Sequence, residues 1–436
     1  MPQTRERGSR PAYCLYILLL VFLLNSLSYA DRNLFSILIP AIKAEFGISD
    51  SLLGLIGGPG FIISYVLFSM PLARLADRWS RRGVLALAAT LWSAATAMCG
   101  AAGNAAQLAM ARFVVGIGEA GGLPPSQSIL ASTFSEKRRS AAMGVLASST
   151  YFGLILGLLG GAAVAAEWGW RAAFFALALP GFPLALLIWF TGLKREKQDI
   201  APGAGQSGPG FLASVRMFWG IKSLRLIAIG VGTFNIFGYA GAVWMPAYFM
   251  RSHGMSVIEA GAWLGIGAAI GGITGSVAAG AIVDRLRVRG EHWQLRLPAI
   301  AFLLAFPQNV AMYMLPGGAG INVAGNHVPG VALIAIVGGF LAASWAGPSF
   351  SAAAKLVAPS QRAQATAMLI VVINVIGSMV GPSLSGLVSD LLVGRMGEES
   401  LRYSLLIMSL LTLAGGMLFW RASTHYPRDL AAREAA

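Results

Sequence analysis

The chain has 436 residues, of which 56% are hydrophobic and only 11% are charged, and its mean hydropathy is +0.69. Ordinary soluble domains carry about 25% charged residues, so this chain has too little polar surface to cover its apolar content in water. We therefore expect an integral membrane protein. Apolar runs recur along the whole length and leave no stretch long enough for a separate soluble domain, which excludes a peripheral enzyme with a single anchor.

The apolar runs predict transmembrane helices. Each run is about 20 residues or longer and lacks the alternating ~10-residue segments of a membrane β-barrel. The first run follows three arginines, as the core of a signal peptide does, but it has no convincing cleavage site and is expected to remain as the first span. Turn and charge clusters divide the runs into twelve predicted spans: 13–42, 51–73, 84–103, 106–133, 140–166, 170–192, 222–250, 256–283, 296–316, 329–356, 363–390 and 401–421.

A charged and then Gly/Pro/Ala-rich segment separates six spans from the other six. This segment, 194–210 (KREKQDIAPGAGQSGPG), is typical of a flexible linker. The predicted organisation is an N-terminal six-helix bundle over 1–192, a cytoplasmic linker over 193–221, and a C-terminal six-helix bundle with a cytoplasmic tail over 222–436.

The net charge of +14 is dispersed over short segments between the spans. With both termini placed in the cytoplasm, 25 of the 32 lysines and arginines fall on the cytoplasmic side, 5 on the other side and 2, Arg32 and Arg112, inside spans. This positive-inside bias predicts cytoplasmic termini, and we expect the protein in a bacterial inner (plasma) membrane. No nucleic-acid partner is expected, because the basic residues are not gathered in one patch.

An Asp-Arg pair recurs at the same place in both halves, at the predicted cytoplasmic end of a span. Asp77-Arg78, with Arg81 beyond it, follows the second span, and Asp284-Arg285 follows the eighth. A carboxylate there can accept charge-assisted hydrogen bonds from a neighbouring helix and hold the cytoplasmic side closed. We therefore predict that these residues form a cytoplasmic gate. The alternative is simple topology, since arginine is expected at any inner boundary.

Glycines at four-residue spacing mark the fifth and eleventh spans. They are Gly153, Gly157 and Gly161 in the fifth, and Gly377 and Gly381 in the eleventh. Such spacing stacks small residues on one helix face, so that another backbone can approach closely. Together with the repeated Asp-Arg pair, it indicates an internal repeat of six helices.

These motifs resemble those of the major facilitator superfamily of transporters. Residues 73–82 (ARLADRWSRR) resemble its Gly-x-Leu-Ala-Asp-Arg-x-Gly-Arg-Arg signature, with Ala73 and Ser80 in place of glycines. Arg112 with the glycines of 116–118 resembles its fourth-helix motif, and the fifth-span glycines resemble a loose version of its fifth-helix motif. The resemblance covers the whole chain. It implies an all-α membrane protein with twelve transmembrane helices in two pseudo-symmetric six-helix bundles, working by alternating access around a midplane site.

Two further motifs resemble the spinster group within that superfamily. They are residues 29–32 (YADR) and 116–120 (GIGEA). This group includes lysolipid and sphingosine-phosphate transporters and bacterial relatives, which implies an amphipathic lipid-like or other lipophilic organic substrate. Relatives that import organic acids share a similar first-span Asp-Arg. A proton-coupled organic-acid symporter, with Arg32 and Arg112 binding a carboxylate, is therefore an alternative, and a non-transporting channel or receptor on the same scaffold is a second.

Asp31 and Glu119 are the acidic residues that lie deep inside predicted spans. An ionised side chain at a helix centre costs roughly 2.5–3.5 kcal/mol on translocon-insertion scales, so each needs a reason. Arg112 lies on the helix face of Glu119, at a level where it can pair with Asp31. We predict that Asp31 and Glu119 couple transport to the proton gradient. Arg112 and Arg32 would be charge partners or substrate contacts, and a static ion pair or substrate binding alone are the alternatives.

Other chemistry is not expected from this sequence. No histidine lies in a predicted span, the GxGxxG at 116–121 lacks a preceding strand, and no GxxxxGK[ST] phosphate loop is present. We therefore expect no enzymatic activity, no metal and no cofactor, with the proton gradient as the energy source. The expected partners are a small-molecule or lipid-like substrate, protons and the lipid bilayer, with the chain a monomer. Candidate substrate-cavity residues are Tyr29, Tyr151, Phe234, Asn235 and Asn374.

Overall fold

The computed structural model describes residues 11–191, 211–323 and 325–435, and the predicted linker 194–210 lies outside them. The described residues are almost entirely helical. The α-helices are α1 Pro11–Phe46, α2 Asp50–Gly57, α3 Pro59–Arg78, α4 Arg81–Ala101, α5 Ala105–Ala120, α6 Leu123–Thr133, α7 Glu136–Ile155, α8 Gly161–Ala178, α9 Gly181–Thr191, α10 Phe211–Gly220, α11 Lys222–His253, α12 Val257–Leu286, α13 Trp293–Met314, α14 Gly330–Ala343, α15 Ala346–Lys355, α16 Arg362–Val372, α17 Met379–Met396 and α18 Ser400–Glu434.

Shorter elements join these helices. A π-helical turn, Leu156–Gly160, connects α7 to α8, and a second, Ile373–Ser378, connects α16 to α17. Strands β1 Gly320–Val323 and β2 Asn326–Pro329 form an antiparallel hairpin before α14. Turns of 3-10 helix lie at Arg287–Arg289, Pro359–Gln361 and Gly397–Glu399.

The helices confirm an all-α membrane fold. In the described part of the chain, nine helical stretches are long and apolar enough to cross a membrane. Two of them, Glu136–Thr191 and Gln364–Glu434, each contain two predicted spans. The predicted span 106–133 corresponds to α5 and α6, which are interrupted at Gly121 and Gly122 and are each too short to qualify. All twelve predicted spans therefore fall largely on helical residues.

Polar N-caps fix where several helices begin. Ser49, Ser80 and Asn104 each accept a backbone N–H from the first turn of α2, α4 and α5. Ser256 and Glu259 form a reciprocal capping box at the start of α12. Because the first N–H groups of a helix have no partner within it, these side chains set the boundaries between loops and apolar spans.

The described chain forms two compact units. The first consists of the described residues of Met1–Phe46 and Gly60–Asp199, and the second of those of Gly47–Pro59 and Ile200–Ala436. The short segment Gly47–Pro59, which carries α2, thus packs with the second unit, although the chain before and after it belongs to the first.

The same pair of spans meets through glycines in each unit. A Cβ atom on Gly157 would lie 2.4 Å from the carbonyl oxygen of Ala30, and one on Gly381 would lie 2.3 Å from that of Ile236. The fifth span therefore contacts the first, and the eleventh contacts the seventh, backbone against backbone. Each of these glycine-bearing spans also contains a π-helical turn. This correspondence is what an internal six-helix repeat predicts.

The core of the second unit contains one of the predicted cavity residues. Phe234 is 3% exposed and stacks on Phe302, with 3.7 Å between ring centroids, and Phe302 in turn packs edge-on against Phe419. Aromatic burial of this kind is typical of helix packing. Phe234 is therefore packed in the core of the second unit in this structure, and its role in a substrate cavity stays a prediction.

Candidate functional site

Two carboxylates and two guanidinium groups in the first unit form two separate ion pairs. Arg112 Nη1 lies 2.5 Å from Asp31 Oδ2, and both side chains are 2% exposed. Arg32 Nη2 lies 2.7 Å from Glu119 Oε2, with the Glu119 side chain fully buried and that of Arg32 32% exposed. The predicted pairing of Arg112 with Asp31 is present, whereas Arg32 pairs with Glu119 and not with its neighbour Asp31.

The Asp31 carboxylate is held from two other helices of the unit. Thr96 Oγ1 on α4 donates to Asp31 Oδ1 over 2.8 Å, and Arg112 on α5 donates to Oδ2. Both oxygens therefore have a donor. A buried carboxylate with a paired cation and a further hydrogen bond is well compensated, so this group joins α1, α4 and α5.

Among the described residues, only one oxygen of the Glu119 carboxylate accepts hydrogen bonds. Ser28 Oγ and Arg32 Nε each donate to Oε2 over 2.8 Å, and Arg32 Nη2 lies close to the same oxygen. Oε1 is buried and has no hydrogen-bond partner among the described residues. A carboxyl group holds its proton on one oxygen, so Oε1 is the atom on which Glu119 can take a proton without losing a bond.

Aromatic rings surround the Arg32 guanidinium group. Its central carbon lies 4.9 Å from the ring centroid of Phe61, 5.1 Å from that of Tyr65 and 5.3 Å from that of Tyr29. Phe61 also lies under Arg112, at 5.4 Å. Ring faces attract cations in apolar surroundings, so these contacts lower the cost of placing arginines inside the bilayer.

A small cavity opens beside the Glu119–Arg32 ion pair. It has room for about one water molecule. Its lining comprises Leu24, Asn25, Ser28, Tyr29, Arg32, Tyr65, Trp92, Glu119, Gly122, Leu123 and Ser126. Asp31 and Arg112 do not line it. The Glu119–Arg32 pair therefore borders a partly polar cavity, while the side chains of the Asp31–Arg112 pair are buried.

The predicted cavity residues are divided between the two units. Tyr29 lines the cavity, and Tyr151 is half-buried on α7. Asn235 and Asn374 belong to the second unit, where each side chain donates to a backbone carbonyl one turn earlier in its own helix. Tyr239 links the two spans by donating to Asn374 Oδ1 over 3.4 Å.

The first half of the predicted gate is a solvent-exposed pair. Arg81 Nε lies 4.0 Å from Asp77 Oδ1, with side chains 39% and 72% exposed, and Arg78 is exposed. Exposed ion pairs contribute only about 0–1 kcal/mol. This geometry gives the predicted gate no buried carboxylate at Asp77.

In the second half, two ion pairs form just beyond the predicted gate residues Asp284 and Arg285. Asp284 and Arg285 are exposed, while Glu291 binds Arg287 at 3.0 Å and Lys355 at 3.2 Å. Burial disfavours the charged form of Glu291, but the hydrogen bonds from Arg287 and Lys355 outweigh it and lower the pKa of the Glu291 carboxyl below its ordinary value. Sequence reasoning missed Glu291, although its i, i+4 spacing from Arg287 is a signal.

Comparisons with known proteins agree with this architecture. The Major Facilitator Superfamily profile matches residues 21–328. An "MFS-type efflux pump" of Mycolicibacterium smegmatis is 32% identical over 412 residues, covering 94% of this chain and 92% of the relative. The "Probable galactarate/D-glucarate transporter GudP" of Bacillus subtilis is 27% identical over 327 residues, covering 68% and 71%.

A solved structure gives the same fold. The crystal structure of a bacterial homologue of the human lysosomal transporter Spinster, in an inward-facing and occupied conformation, aligns with a TM-score of 0.81 and 25% identity. The alignment covers 97% of this chain and 99% of the other, which confirms the resemblance to the spinster group. The profile spans more than half of the chain and the bacterial relative nearly all of it. The chain therefore belongs to the major facilitator superfamily of membrane transporters.

Proposed function

We propose that the chain is a proton-coupled secondary transporter that moves an amphipathic, lipid-like or otherwise lipophilic organic molecule by alternating access. The observation that carries this proposal is the one-sided bonding of Glu119. Its Oε2 receives every donor and its buried Oε1 has none within the described residues, beside a cavity with room for water. A group that exchanges protons during transport needs both a vacant oxygen and a polar route to it.

Proton binding at Glu119 would change the partner of Arg32. A neutral carboxyl group no longer balances the guanidinium charge, and removing one partner of a buried pair costs about 3–5 kcal/mol. Arg32 is already 32% exposed, so it can turn toward the cavity and take an anionic group in exchange. A proton and a substrate anion would then be bound together, and release of one would favour release of the other.

Asp31 and Arg112 have a different role in this proposal. Both carboxylate oxygens of Asp31 accept hydrogen bonds, and the side chains of Asp31 and Arg112 are both buried. The pair would keep α1 and α5 in register while the neighbouring pair exchanges partners. We therefore assign proton coupling to Glu119 and a structural role to the ion pair of Asp31 with Arg112.

The surroundings of Arg32 support an amphipathic substrate. Three aromatic rings lie against the guanidinium group, which offers a charged contact next to an apolar surface. The M. smegmatis relative is named an efflux pump and the aligned bacterial structure a Spinster homologue. An anionic head on an apolar body fits both the cation and the rings.

A proton-coupled organic-acid symporter is the second candidate function. It is favoured by the polar side of the cavity, where Asn25, Ser28 and Ser126 accompany Arg32. The B. subtilis relative is named a probable galactarate/D-glucarate transporter. In both candidates Arg32 binds the anionic group, and the size of the apolar part of the substrate distinguishes them.

The membrane orientation is part of the proposal. The excess of lysine and arginine in alternate loops supports cytoplasmic termini in a bacterial inner membrane. Tags placed after the C-terminus and probed in intact and opened cells test this orientation.

The test uses purified protein in liposomes loaded with a pH dye. Lysophospholipids, sphingoid phosphates and organic acids are added in turn to wild type, Glu119→Gln and Asp31→Asn. Glu167→Gln serves as the matched control, because it is the same substitution at an exposed position. We expect substrate-dependent proton movement in wild type and the control, and loss of proton movement in Glu119→Gln with substrate exchange retained.

Two results would overturn the assignment. Full proton coupling in Glu119→Gln would show that Glu119 is not the coupling group. Substrate movement by wild type without protons would exclude the coupled mechanism altogether. Flux that does not saturate and shows no counterflow would instead identify a channel.

A further inference from the structure

An arginine at the start of α13 lies against tryptophans of two helices in the second unit. The central carbon of the Arg296 guanidinium group lies 5.9 Å from the ring centroid of Trp293 on the same helix and 5.4 Å from that of Trp420 on α18. We propose that these three residues, here called the Arg296 site, bind the phosphate of an anionic phospholipid of the surrounding bilayer. This inference goes beyond the proposed function, because the lipid is a resident ligand and not the transported molecule.

Close packing of α13 on α18 brings Arg296 and Trp420 to the same level. A Cβ atom on Gly416 would lie 3.2 Å from the carbonyl oxygen of Ala299 and 2.8 Å from a side-chain carbon of Leu303. Arg296 precedes Ala299 by about one turn and Trp420 follows Gly416 by about one turn, so the two helices are antiparallel here. The Gly416 contact therefore fixes the tryptophan against the arginine.

The Arg296 site lies at a membrane boundary. Arg296 begins the predicted span 296–316, and Trp420 lies next to the end of the predicted span 401–421. Tryptophan and basic residues are typical of the level where phospholipid head groups lie. With both termini in the cytoplasm, as proposed above, this level belongs to the cytoplasmic leaflet.

The guanidinium group of Arg296 lacks a counter-charge among the described residues. Its Nε is buried without a hydrogen-bond partner there, and it takes part in none of the ion pairs that those residues form. Glu291, the nearest acidic residue in the sequence, binds Arg287 and Lys355 instead. Ring faces attract the cation but offer no oxygen acceptor to its N–H donors. A phosphate supplies both the negative charge and the oxygens, in a geometry that suits the planar fork of arginine.

The electrostatics of the preceding loop agree with an uncompensated positive charge. Burial lowers the pKa of the His292 imidazole, and the charge of Arg296 lowers it further. The His292 ring lies 5.8 Å from that of Trp293, directly before α13. The dipole of α13 adds positive potential at this end of the helix. An anion is therefore favoured beside Arg296.

An exposed apolar surface continues from the Arg296 site toward the middle of the bilayer. Trp420 is 43% exposed, and Met417, Leu410 and Ile407 are exposed on the same broad face of α18. From Trp420 to Ile407 this face extends over about 20 Å at ~1.5 Å per residue, enough for an acyl chain within one leaflet. A free phosphate would leave this surface unused. A phospholipid, with its phosphate at Arg296 and its chains along α18, covers both the charge and the apolar face.

The first experiment measures lipid binding to the purified full-length protein by native mass spectrometry. Phosphatidylglycerol, phosphatidylcholine and glycerol phosphate are titrated against wild type, Arg296→Gln and Arg225→Gln. Arg225→Gln is the matched control, because Arg225 is exposed near the start of α11 in the same unit. We expect Arg296→Gln to weaken phosphatidylglycerol binding about tenfold or more, with the control unchanged. Phosphatidylcholine should bind wild type more weakly than phosphatidylglycerol, because its own cation balances the phosphate, and glycerol phosphate should bind most weakly because it has no acyl chains.

The second experiment tests the ring and the position of the lipid. Trp420→Leu keeps the charge but removes a ring, and should weaken phosphatidylglycerol binding about two- to fivefold, whereas Trp420→Phe should stay close to wild type. A phosphatidylglycerol with a photoreactive acyl chain should cross-link to residues 407–420 of α18 in wild type and in Arg225→Gln. These cross-links should be lost in Arg296→Gln.

The outcomes separate a lipid site from its alternatives. Equal phosphatidylglycerol affinity in Arg296→Gln and Arg225→Gln would refute the inference. Glycerol phosphate bound as tightly as phosphatidylglycerol would identify a site for soluble anions instead. Binding that is lost in Arg32→Gln and kept in Arg296→Gln would place the lipid in the proposed transport site.

Neither experiment depends on transport. Both use binding and cross-linking alone, so a failure to detect proton movement or substrate flux leaves their result unchanged. If Arg296→Gln loses its monodisperse elution, Arg296→Lys replaces it. Lysine keeps the charge but not the planar fork, and should weaken phosphatidylglycerol binding by a smaller factor. Undiminished affinity in both Arg296→Lys and Trp420→Leu would then overturn the assignment.

Discussion

Two ion pairs of the first unit have the same separation and opposite surroundings, which allows a direct test of burial. Arg112–Asp31 and Arg171–Glu45 each have an N–O distance of 2.5 Å. The first pair is 2% exposed on both sides, whereas the second is 37% and 44% exposed. We predict that Asp31→Asn lowers the free energy of unfolding by about 3–5 kcal/mol, whereas Glu45→Gln lowers it far less because both of its partners are exposed to solvent.

The magnitudes follow from the dielectric surroundings. Two unit charges 2.5 Å apart attract by about 7 kcal/mol at an effective dielectric constant near 20, and by about 2 kcal/mol in bulk water. Removing Asp31 leaves the Arg112 cation buried without a counter-charge, so its desolvation is no longer offset. Removing Glu45 leaves Arg171 in contact with solvent, with the Trp170 ring and the Ala102 carbonyl still beside it.

The measurement is chemical or thermal unfolding of purified variants in one detergent, at fixed protein concentration. The double variant Asp31→Asn with Arg112→Gln is the internal control, since it removes both charges together. We expect it to recover most of the loss seen in Asp31→Asn. Equal losses in Asp31→Asn and Glu45→Gln, or a double variant as unstable as the single one, would refute the reasoning that burial decides the effect.

Three further predictions concern single contacts. The pKa of the Glu291 carboxyl is lowered in the folded protein. Its contribution to stability is therefore present above its ordinary pKa of about 4.3 and is lost as the pH falls through the lower folded value. The unfolding curves of wild type and Glu291→Gln should converge as the pH drops from about 7 to about 3. Gly157→Val should destabilise the first unit by about 1–3 kcal/mol or more, while Gly144→Val, with nothing within 4 Å of its Cβ position, should show no comparable loss in the same thermal-shift assay. Thr96→Ala removes a hydrogen-bond donor to the Asp31 carboxylate and should lower the free energy of unfolding by about 1.5–3 kcal/mol, whereas Thr96→Ser should keep the wild-type stability. A Thr96→Ala variant as stable as wild type would mean that the hydroxyl contributes nothing.

The membrane fold could be predicted because it depends on local properties of the chain. Apolar length decides which segments span the bilayer, and the glycines of the fifth and eleventh spans mark close helix contacts in both halves. The energetic cost of placing a charge inside the bilayer identified Asp31 and Glu119, since an acidic side chain within a span needs a partner that offsets this cost. Such reasoning uses only composition and spacing, which is why it transferred to the structure.

The choice of partners within the site was harder to predict, although part of it follows from helix geometry. Adjacent residues on an α-helix point about 100° apart, so Asp31 and Arg32 face different neighbours. Ser28 and Arg32 are one turn apart on one face and both bind Glu119. Thr96 gave no signal of its role, because nothing in its local sequence indicates that it lies opposite Asp31.

Local patterns do not give the partners of the predicted gate residues or of the segment Gly47–Pro59. The Asp-Arg repeat predicted a cytoplasmic gate; in this structure Asp77 is 72% exposed, and beyond Asp284 and Arg285 it is Glu291 that binds Arg287 and Lys355. A local motif does not tell which of several neighbouring charges will be buried. The segment Gly47–Pro59 falls largely within the predicted second span, 51–73, and its packing with the second unit could not be predicted because it depends on Asp390, more than 300 residues away in the chain.

Exposure of the arginine separates ion pairs that can exchange partners from one that cannot. In the Glu119–Arg32 and Asp50–Arg251 pairs the acid is fully buried, while the arginine is 32% or 17% exposed. When such a pair separates, the arginine can be hydrated or can bind an anion, and the cost falls on the acid alone. Glu119 can then accept a proton on its vacant Oε1, and Asp50 keeps the hydrogen bond from Ser389 when Arg251 turns away.

The Asp31–Arg112 pair lacks this route, since both side chains are 2% exposed and separation would leave two buried charges without a partner. Substitutions of arginine by lysine should follow the same order. Lysine keeps the charge but loses the planar fork, so Arg112→Lys should be the most destabilising of the three and Arg32→Lys the least. The reverse order in unfolding measurements would mean that the sealed pair is the one that moves. In that case proton coupling would have to be reassigned from Glu119 to Asp31.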